Sequence, residues 1–321
     1  MVRRHPTLVP LLLAVLLMTC TAVPVLGAKP SQPGKPAPSS PPTSPPPTLE
    51  EPPLTPEQEA ASAAKVASAQ AYLASVDAGG LELSNLNCVT PTGTAEVTAT
   101  TDAAGGGRSA DGPGTDATID ACWVPQGFVG VEARDQIGGI YCGPAVGQVI
   151  SNYTWAMGSA WNKYTQDVIA GWMSTVINQG TSAEKLEVGL ERATIGAPRR
   201  PSNWDWVITY LRDLNGNGDI ADEMHGYIRT NVSSSKMPLA IPVKPHDPNS
   251  TYYLSSWPKP VWSPGHWIAA YGWVGYYTGT DYARTYYTDS SKDEGGSTGK
   301  FWDPTRHIAR LIAQHTGRFV W

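Results

Sequence analysis

Asp135-Gln136-Ile137-Gly138-Gly139-Ile140-Tyr141-Cys142-Gly143-Pro144-Ala145 opens the most informative stretch of the chain. From Gly143 onward Ala145, Val146, Val149, Ile150 and Tyr153 recur at helical spacing, so a helix with an apolar face is expected over 143–157. Pro144 suits its first turn, where the missing N–H has no intrahelical partner to lose. Cys142 therefore stands just before a helix N-terminus, whose unpaired N–H groups and positive dipole end favour a thiolate. Glycines on either side let a substrate backbone approach closely. A nucleophilic cysteine is the chemical reading of this pattern; a buried structural cysteine at a helix start is the plainer one.

The cysteine count sharpens that choice. Residues 1–27 read as a signal peptide: Arg3 and Arg4 precede an apolar run at Leu8–Leu17, and Val25-Leu26-Gly27 offers a cleavage site. The run is too short to span a membrane, so no transmembrane segment is expected in the mature chain. A second reading makes Leu17-Met18-Thr19-Cys20 a lipoprotein site with the lipid on Cys20. Either way the expectation is a secreted or cell-surface protein, in an oxidising compartment. Cleavage after Gly27 leaves Cys88, Cys122 and Cys142. A disulfide between Cys88 and Cys122 closes a loop of about 35 residues and contributes roughly 4 kcal/mol by loop entropy. Cys142 is then the odd thiol.

The rest of the 321-residue chain divides by composition. Residues 28–56 form a Pro-rich linker, with 12 prolines in positions 30–56, extending on the order of 80 Å. Thr55-Pro56-Glu57-Gln58 reads as an N-cap with a capping-box Gln, starting a helix to about Val76 with Val66, Ala69, Leu73 and Val76 on one face. With the disulfide-closed stretch it makes an N-terminal region, 57–128. Of 29 aromatic residues only Tyr72 precedes Trp123, so the main core is expected in 129–321. Helices are expected near 165–178, 182–194 and 204–212, then strands at 239–243, 267–274, 284–288 and 317–321. Helices followed by strands imply an α+β domain with helices packed on an antiparallel sheet.

A thiolate needs a partner that moves protons. His266 follows Ser263-Pro264-Gly265 and opens the apolar strand from Trp267, which holds its ring rigidly at the strand entry. His225 and His246 lie in polar sequence; His307 and His315 fall on a C-terminal helix and suit a surface. Asp289 ends the next strand, and antiparallel pairing brings it near His266 to orient the imidazole. Asp281 and Asp303 compete for that role. Gln136, six residues before the cysteine, offers a side-chain amide to an oxyanion, with the Cys142 N–H as a second donor.

Gln136, the Tyr141–Ala145 segment, Gly265-His266-Trp267 and Tyr287-Thr288-Asp289 together resemble the peptidase domain of the bacteriocin-processing (double-glycine leader) cysteine peptidases, closer to exported stand-alone relatives than to transporter-fused ones. The resemblance covers roughly 129–321. It implies a papain-like fold, with Cys142 as nucleophile, His266 as base, Asp289 as orienter and Gln136 as oxyanion donor. It also implies a thiol protease, a hydrolase with no required cofactor, acting on a peptide or protein substrate. Tyr141 stands where many leader peptidases carry an acid, so specificity for double-glycine leaders does not carry over.

Other classes fit less well. The net charge of −5 and the absence of a long basic run argue against a nucleic-acid partner. No zinc or P-loop pattern occurs. Asp213, Asn215, Asn217 and Asp219 copy the first half of a structural calcium loop, but position 12 is Met224, with Glu223 one place early; an ordinary turn is the alternative. Two other functions remain open at this level. One is a cell-wall peptide amidase, for which the linker provides reach. The other is a catalytically silent peptide- or glycan-binding module using a surface around Trp257, Trp262 and Trp267.

Overall fold

Thr55 and Gln58 close a reciprocal cap: the Thr55 N–H donates to Gln58 Oε1 at 3.0 Å and the Gln58 N–H to Thr55 Oγ1 at 3.3 Å. Two orphan donors are satisfied at once, and the Ala-rich segment behind them forms helix α1, Pro56–Gly79. The computed structural model describes residues 51–79, 126–176, 179–245, 252–257, 265–275, 283–291 and 296–321. Residues 1–27 with Cys20, most of the Pro-rich stretch, Cys88, Cys122, His246, Trp262 and Asp281 lie outside them. The architecture below belongs to the unit Pro46–Trp321.

Three helices follow: α2 (Cys142–Thr154), α3 (Gln166–Trp172) and α4 (Ala183–Thr194). Thr165 and Ser182 cap the latter two, each hydroxyl accepting an N–H from the first turn. Every residue of α2 is buried, as expected of a helix enclosed on all sides. Gly147 permits this enclosure, because a Cβ there would lie 2.7 Å from Met173 Cε and 2.9 Å from Ile169 Cγ2. Ile169, Met173, Leu186 and Leu190 are fully buried around it, each stabilising by about 1.5–3 kcal/mol.

Seven strands are described: β1 (Gln126–Phe128), β2 (Ile208–Tyr210), β3 (Leu239–Val243), β4 (His266–Val274), β5 (Arg284–Asp289), β6 (Gly299–Pro304) and β7 (Arg318–Val320). They pair antiparallel in the order β2-β7-β3-β4-β5-β6, with β1 also on β4. β3 is buried along its whole length, which explains its unbroken apolar run. β7 meets β3 at Ala240 alone, so Pro242 lies where that side of β3 behaves as an edge. The remaining helices are α5 (Ile220–Arg229), continued by a π-turn at Thr230–Ser234, and α6 (Thr305–Ala313). Among the described residues no helix is long and apolar enough to cross a membrane. The fold is α+β with helices on an antiparallel sheet.

One local expectation is corrected. Residues 204–212 are not a helix: 206–209 are buried without a break, and 208–210 pair with β7 as β2. The calcium-like spacing of Asp213–Asp219 runs directly into α5, capped by the Asp219 carboxylate accepting the Ala221 N–H at 3.1 Å. β6, absent from the sequence reading, pairs with the full length of β5.

α1 packs onto the part of the chain read as peptidase-like. Ala69 is buried, Val66 lies against the core, and a Cβ on Gly226 of α5 would come within 2.9 Å of Leu73 Cδ1. Lys65 donates to the carbonyls of Asp205 and Trp321 and lies 3.7 Å from the centre of the Trp204 ring. Burial, opposed by the Asp205 charge, drops this ammonium to about 7.

Candidate active site

Cys142 enters the site as the first residue of α2, and α2 lies against β4, whose first residue is His266. β4 and β5 form an antiparallel pair in which Ala269 faces Thr288. That register sets Asp289 opposite Ile268, and His266, two residues along, shares its face. The start of one strand and the end of the next are thus diagonal neighbours.

The ring of His266 lies between Asp289 and Cys142. Nε2 lies 2.8 Å from Asp289 Oδ1, which leaves Nδ1 as the ring nitrogen not engaged by Asp289, and the Cys142 side chain interacts with the same ring. Cys142 is a free thiol, 8% exposed; His266 is 2% exposed and Asp289 fully buried. Burial opposes the imidazolium, but the Asp289 carboxylate outweighs it, with help from Cys142, and lifts His266 to about 10. Burial likewise opposes the Asp289 carboxylate, yet the His266 charge and the hydrogen bonds hold it below its usual range. The pair thus favours Asp⁻ beside His⁺, the form that stabilises a neighbouring thiolate.

Asp289 is saturated with donors. Oδ1 also accepts the Ser291 N–H at 2.8 Å, while Oδ2 accepts Ser256 Oγ at 2.6 Å and Trp257 Nε1 at 2.9 Å. Trp257 also meets the His266 ring edge-on, with ring centroids 5.2 Å apart. Ser256 and Trp257 were not legible as part of a site, because 33 and 32 residues separate them from Asp289 and no local pattern marks them. Trp257 and Trp267 are buried rather than forming a surface; Trp267 Nε1 donates to Thr181 O at 2.8 Å. The aromatic face of the silent-module reading is therefore interior at these two positions.

Gln136 is brought to the same corner. Its N–H donates to Ser290 O at 2.9 Å, next to Asp289, and its side-chain Nε2 donates to Gly138 O at 3.1 Å. The loop it opens is tied to α3: Gln166 Oε1 accepts the Ile137 N–H at 3.0 Å, and the Tyr141 hydroxyl donates to Asp167 Oδ1 at 2.9 Å. Ile137 is left 61% exposed between Gln136 and Cys142.

The competing residues are placed elsewhere. Asp303 is buried but accepts from Tyr287 and Ser255, not from His266. His225 lies in the interior, edge-on to Trp273 at 5.5 Å, where burial drops it to about 4; its polar sequence neighbours misrepresented its position. In the loop at 213–219, the oxygens of Asp213, Asn215 and Asn217 accept N–H groups of the loop itself, and Asp219 caps α5. Among the described residues no group of three or more His, Cys, Asp or Glu side chains is placed to hold a metal ion.

No protein-family model matches the chain, and no curated protein matches it in sequence.

Proposed function

We propose that residues 129–321 form a papain-like cysteine peptidase of an exported protein, hydrolysing peptide bonds with Cys142, His266 and Asp289. The observation that carries this reading is the free thiol at the head of α2, interacting with a buried imidazole whose Nε2 lies 2.8 Å from a four-fold hydrogen-bonded carboxylate. Export rests on the sequence of residues 1–27.

In the reaction the Cys142 thiolate attacks the peptide carbonyl carbon, and the carbonyl oxygen takes the negative charge. The Cys142 N–H and the Gln136 amide are the donors proposed for that oxyanion, the latter by exchanging its bond to Gly138 O. The His266 imidazolium gives its proton to the departing nitrogen, the C–N bond breaks, and a thioester remains on Cys142. Water then attacks the thioester, His266 takes its proton, the C–S bond breaks and the acid leaves. Ile137 offers an apolar contact for the substrate chain beside the nucleophile.

The test is cleavage profiling of a diverse peptide library with the wild-type protein beside Cys142→Ala. The wild type should cleave a subset of peptides, and the variant should lose that cleavage by a factor on the order of 10⁴ or more. Equal cleavage by both proteins overturns the reading.

A further inference from the structure

Beyond Asp289 the hydrogen bonds continue to a second buried carboxylate. The Tyr287 hydroxyl, fully buried, donates to Asp303 Oδ2 at 2.7 Å and lies 3.3 Å from Ser256 Oγ. Ser256 Oγ in turn donates to Asp289 Oδ2 at 2.6 Å. Asp303 also fixes the segment that carries Ser256, since its Oδ2 accepts the Ser255 N–H at 3.0 Å. Ser255 Oγ, also 3.3 Å from the Tyr287 hydroxyl, donates to Trp302 O at 3.2 Å and so can only accept from Tyr287. A continuous series therefore runs Asp303–Tyr287–Ser256–Asp289–His266, with every member buried.

We infer that Asp303 is a positioning residue for Asp289, acting through Tyr287 and Ser256, and that its protonation state sets which way the hydrogen bonds between them run. The argument is one of counting protons. A hydroxyl has one to give. Ser256 gives its proton to Asp289, and Tyr287 gives its proton to Asp303 while Asp303 is ionised. Ser256 Oγ then accepts nothing from Tyr287. Once Asp303 is protonated its O–H donates to the Tyr287 oxygen, and the Tyr287 proton turns to the two serine hydroxyls 3.3 Å away, of which Ser256 leads on to Asp289. All three links now point toward Asp289, each polarising the next. Asp289 is satisfied more strongly from behind, and its hold on the His266 imidazolium weakens.

Asp303 is suited to such a change near neutrality: burial pushes its carboxyl up to about 6, against the Ser255 and Tyr287 hydrogen bonds. Cations of the surrounding elements are engaged elsewhere. Arg284 of β5 stacks on Trp302 at 4.1 Å, Lys300 of β6 pairs with Glu132, and His307 of α6 stacks on Tyr252. Arg306 of α6 also has partners of its own. The partners of Asp303 are Tyr287 and Ser255.

This inference rests on the Cys142–His266–Asp289 reading, and its test separates the two. The full-length protein is treated with iodoacetamide from about pH 4 to pH 9, and the alkylation rate is read at the Cys142 peptide by mass spectrometry. The wild type should show an inflection near pH 6, the rate falling on the acid side by roughly two- to tenfold, the worth of one hydrogen bond. Tyr287→Phe, which keeps Asp303 but cuts the series, should abolish that inflection, as should Asp303→Asn. Ser256→Ala cuts it one link nearer Asp289 and repeats the test without altering the tyrosine's packing. Profiles of Tyr287→Phe and Ser256→Ala superimposable on wild type overturn the inference while leaving the triad intact, provided Asp289→Asn does change the profile. If Asp289→Asn changes nothing, the triad itself is wrong and the inference falls with it.

Discussion

Asp289→Asn should reduce peptide hydrolysis by about 10²- to 10⁴-fold and bring the His266 imidazole from about 10 to below its ordinary value of 6.5. The carboxamide fills the same space but carries no charge. Burial, which disfavours the imidazolium, is then no longer outweighed. The imidazole should be neutral at pH 7, with no charge to stabilise the Cys142 thiolate or proton to give a leaving amine. Titration of the His266 ring signals by NMR checks the protonation change, and hydrolysis of a library-derived substrate checks the rate.

The same pair has a signature in stability. The folded protein holds the His266 proton more tightly than the unfolded chain does, so the His266 contribution is fully present below pH 6.5 and lost as pH rises through about 10. Asp289, held below its ordinary 3.8, contributes above that value and loses its contribution as pH falls through its lowered value. Denaturant unfolding should thus show wild type falling toward Asp289→Asn between pH 6.5 and 10. A gap that stays constant over that range removes the coupled pair as its cause.

Arg318→Ala should destabilise the fold by about 3–5 kcal/mol, because it strands buried carboxylates. Arg318 Nη1 lies 3.3 Å from Glu51 and 2.7 Å from Glu184, and Nη2 donates to the Pro52 carbonyl and the Tyr210 hydroxyl. One guanidinium therefore ties β2, β7, α4 and the chain before α1 together. Glu51 caps α4 as well, accepting the Ala183 N–H at 3.0 Å. Burial already pushes the Glu51 carboxyl up, and removing the arginine should push it further. A raised carboxyl is favoured in its protonated form, so the cost of the variant should be largest at neutral pH and shrink as pH falls. Denaturant midpoints at pH 5 and pH 7.5 check this, and a variant penalty equal at both would show that packing, not charge, holds the corner. Arg318→Lys should recover only part of the loss, since an ammonium cannot span acceptors on both sides of the planar fork.

Local pattern accounts for much of what was legible. β3 was read with its observed bounds, and β4, β5, α2 and α4 to within a few residues, because apolar periodicity and capping residues are properties of contiguous sequence. The capping box of α1 was legible for the same reason. β2 was misread because a three-residue strand is stabilised by its pairing with β7, over a hundred residues away, and its own pattern is too short to settle a period. α5 was hidden by a turn motif that runs directly into its N-cap.

The candidate site divides along the same line. Sequence alone determined the chemistry on offer: an odd thiol before a helix, a histidine opening a strand, and an acid closing the next. Sequence favoured Asp289 over Asp281 and Asp303 because it closes the strand after that of His266, but it could not show the pairing of those strands. Register decided it. The antiparallel pairing of β4 with β5 sets Asp289 diagonal to His266 on one face, and sets Asp303 a strand further out on Tyr287. Tertiary structure alone supplied Ser256 and Trp257, because a buried carboxylate must find donors wherever packing presents them, whatever their distance along the chain.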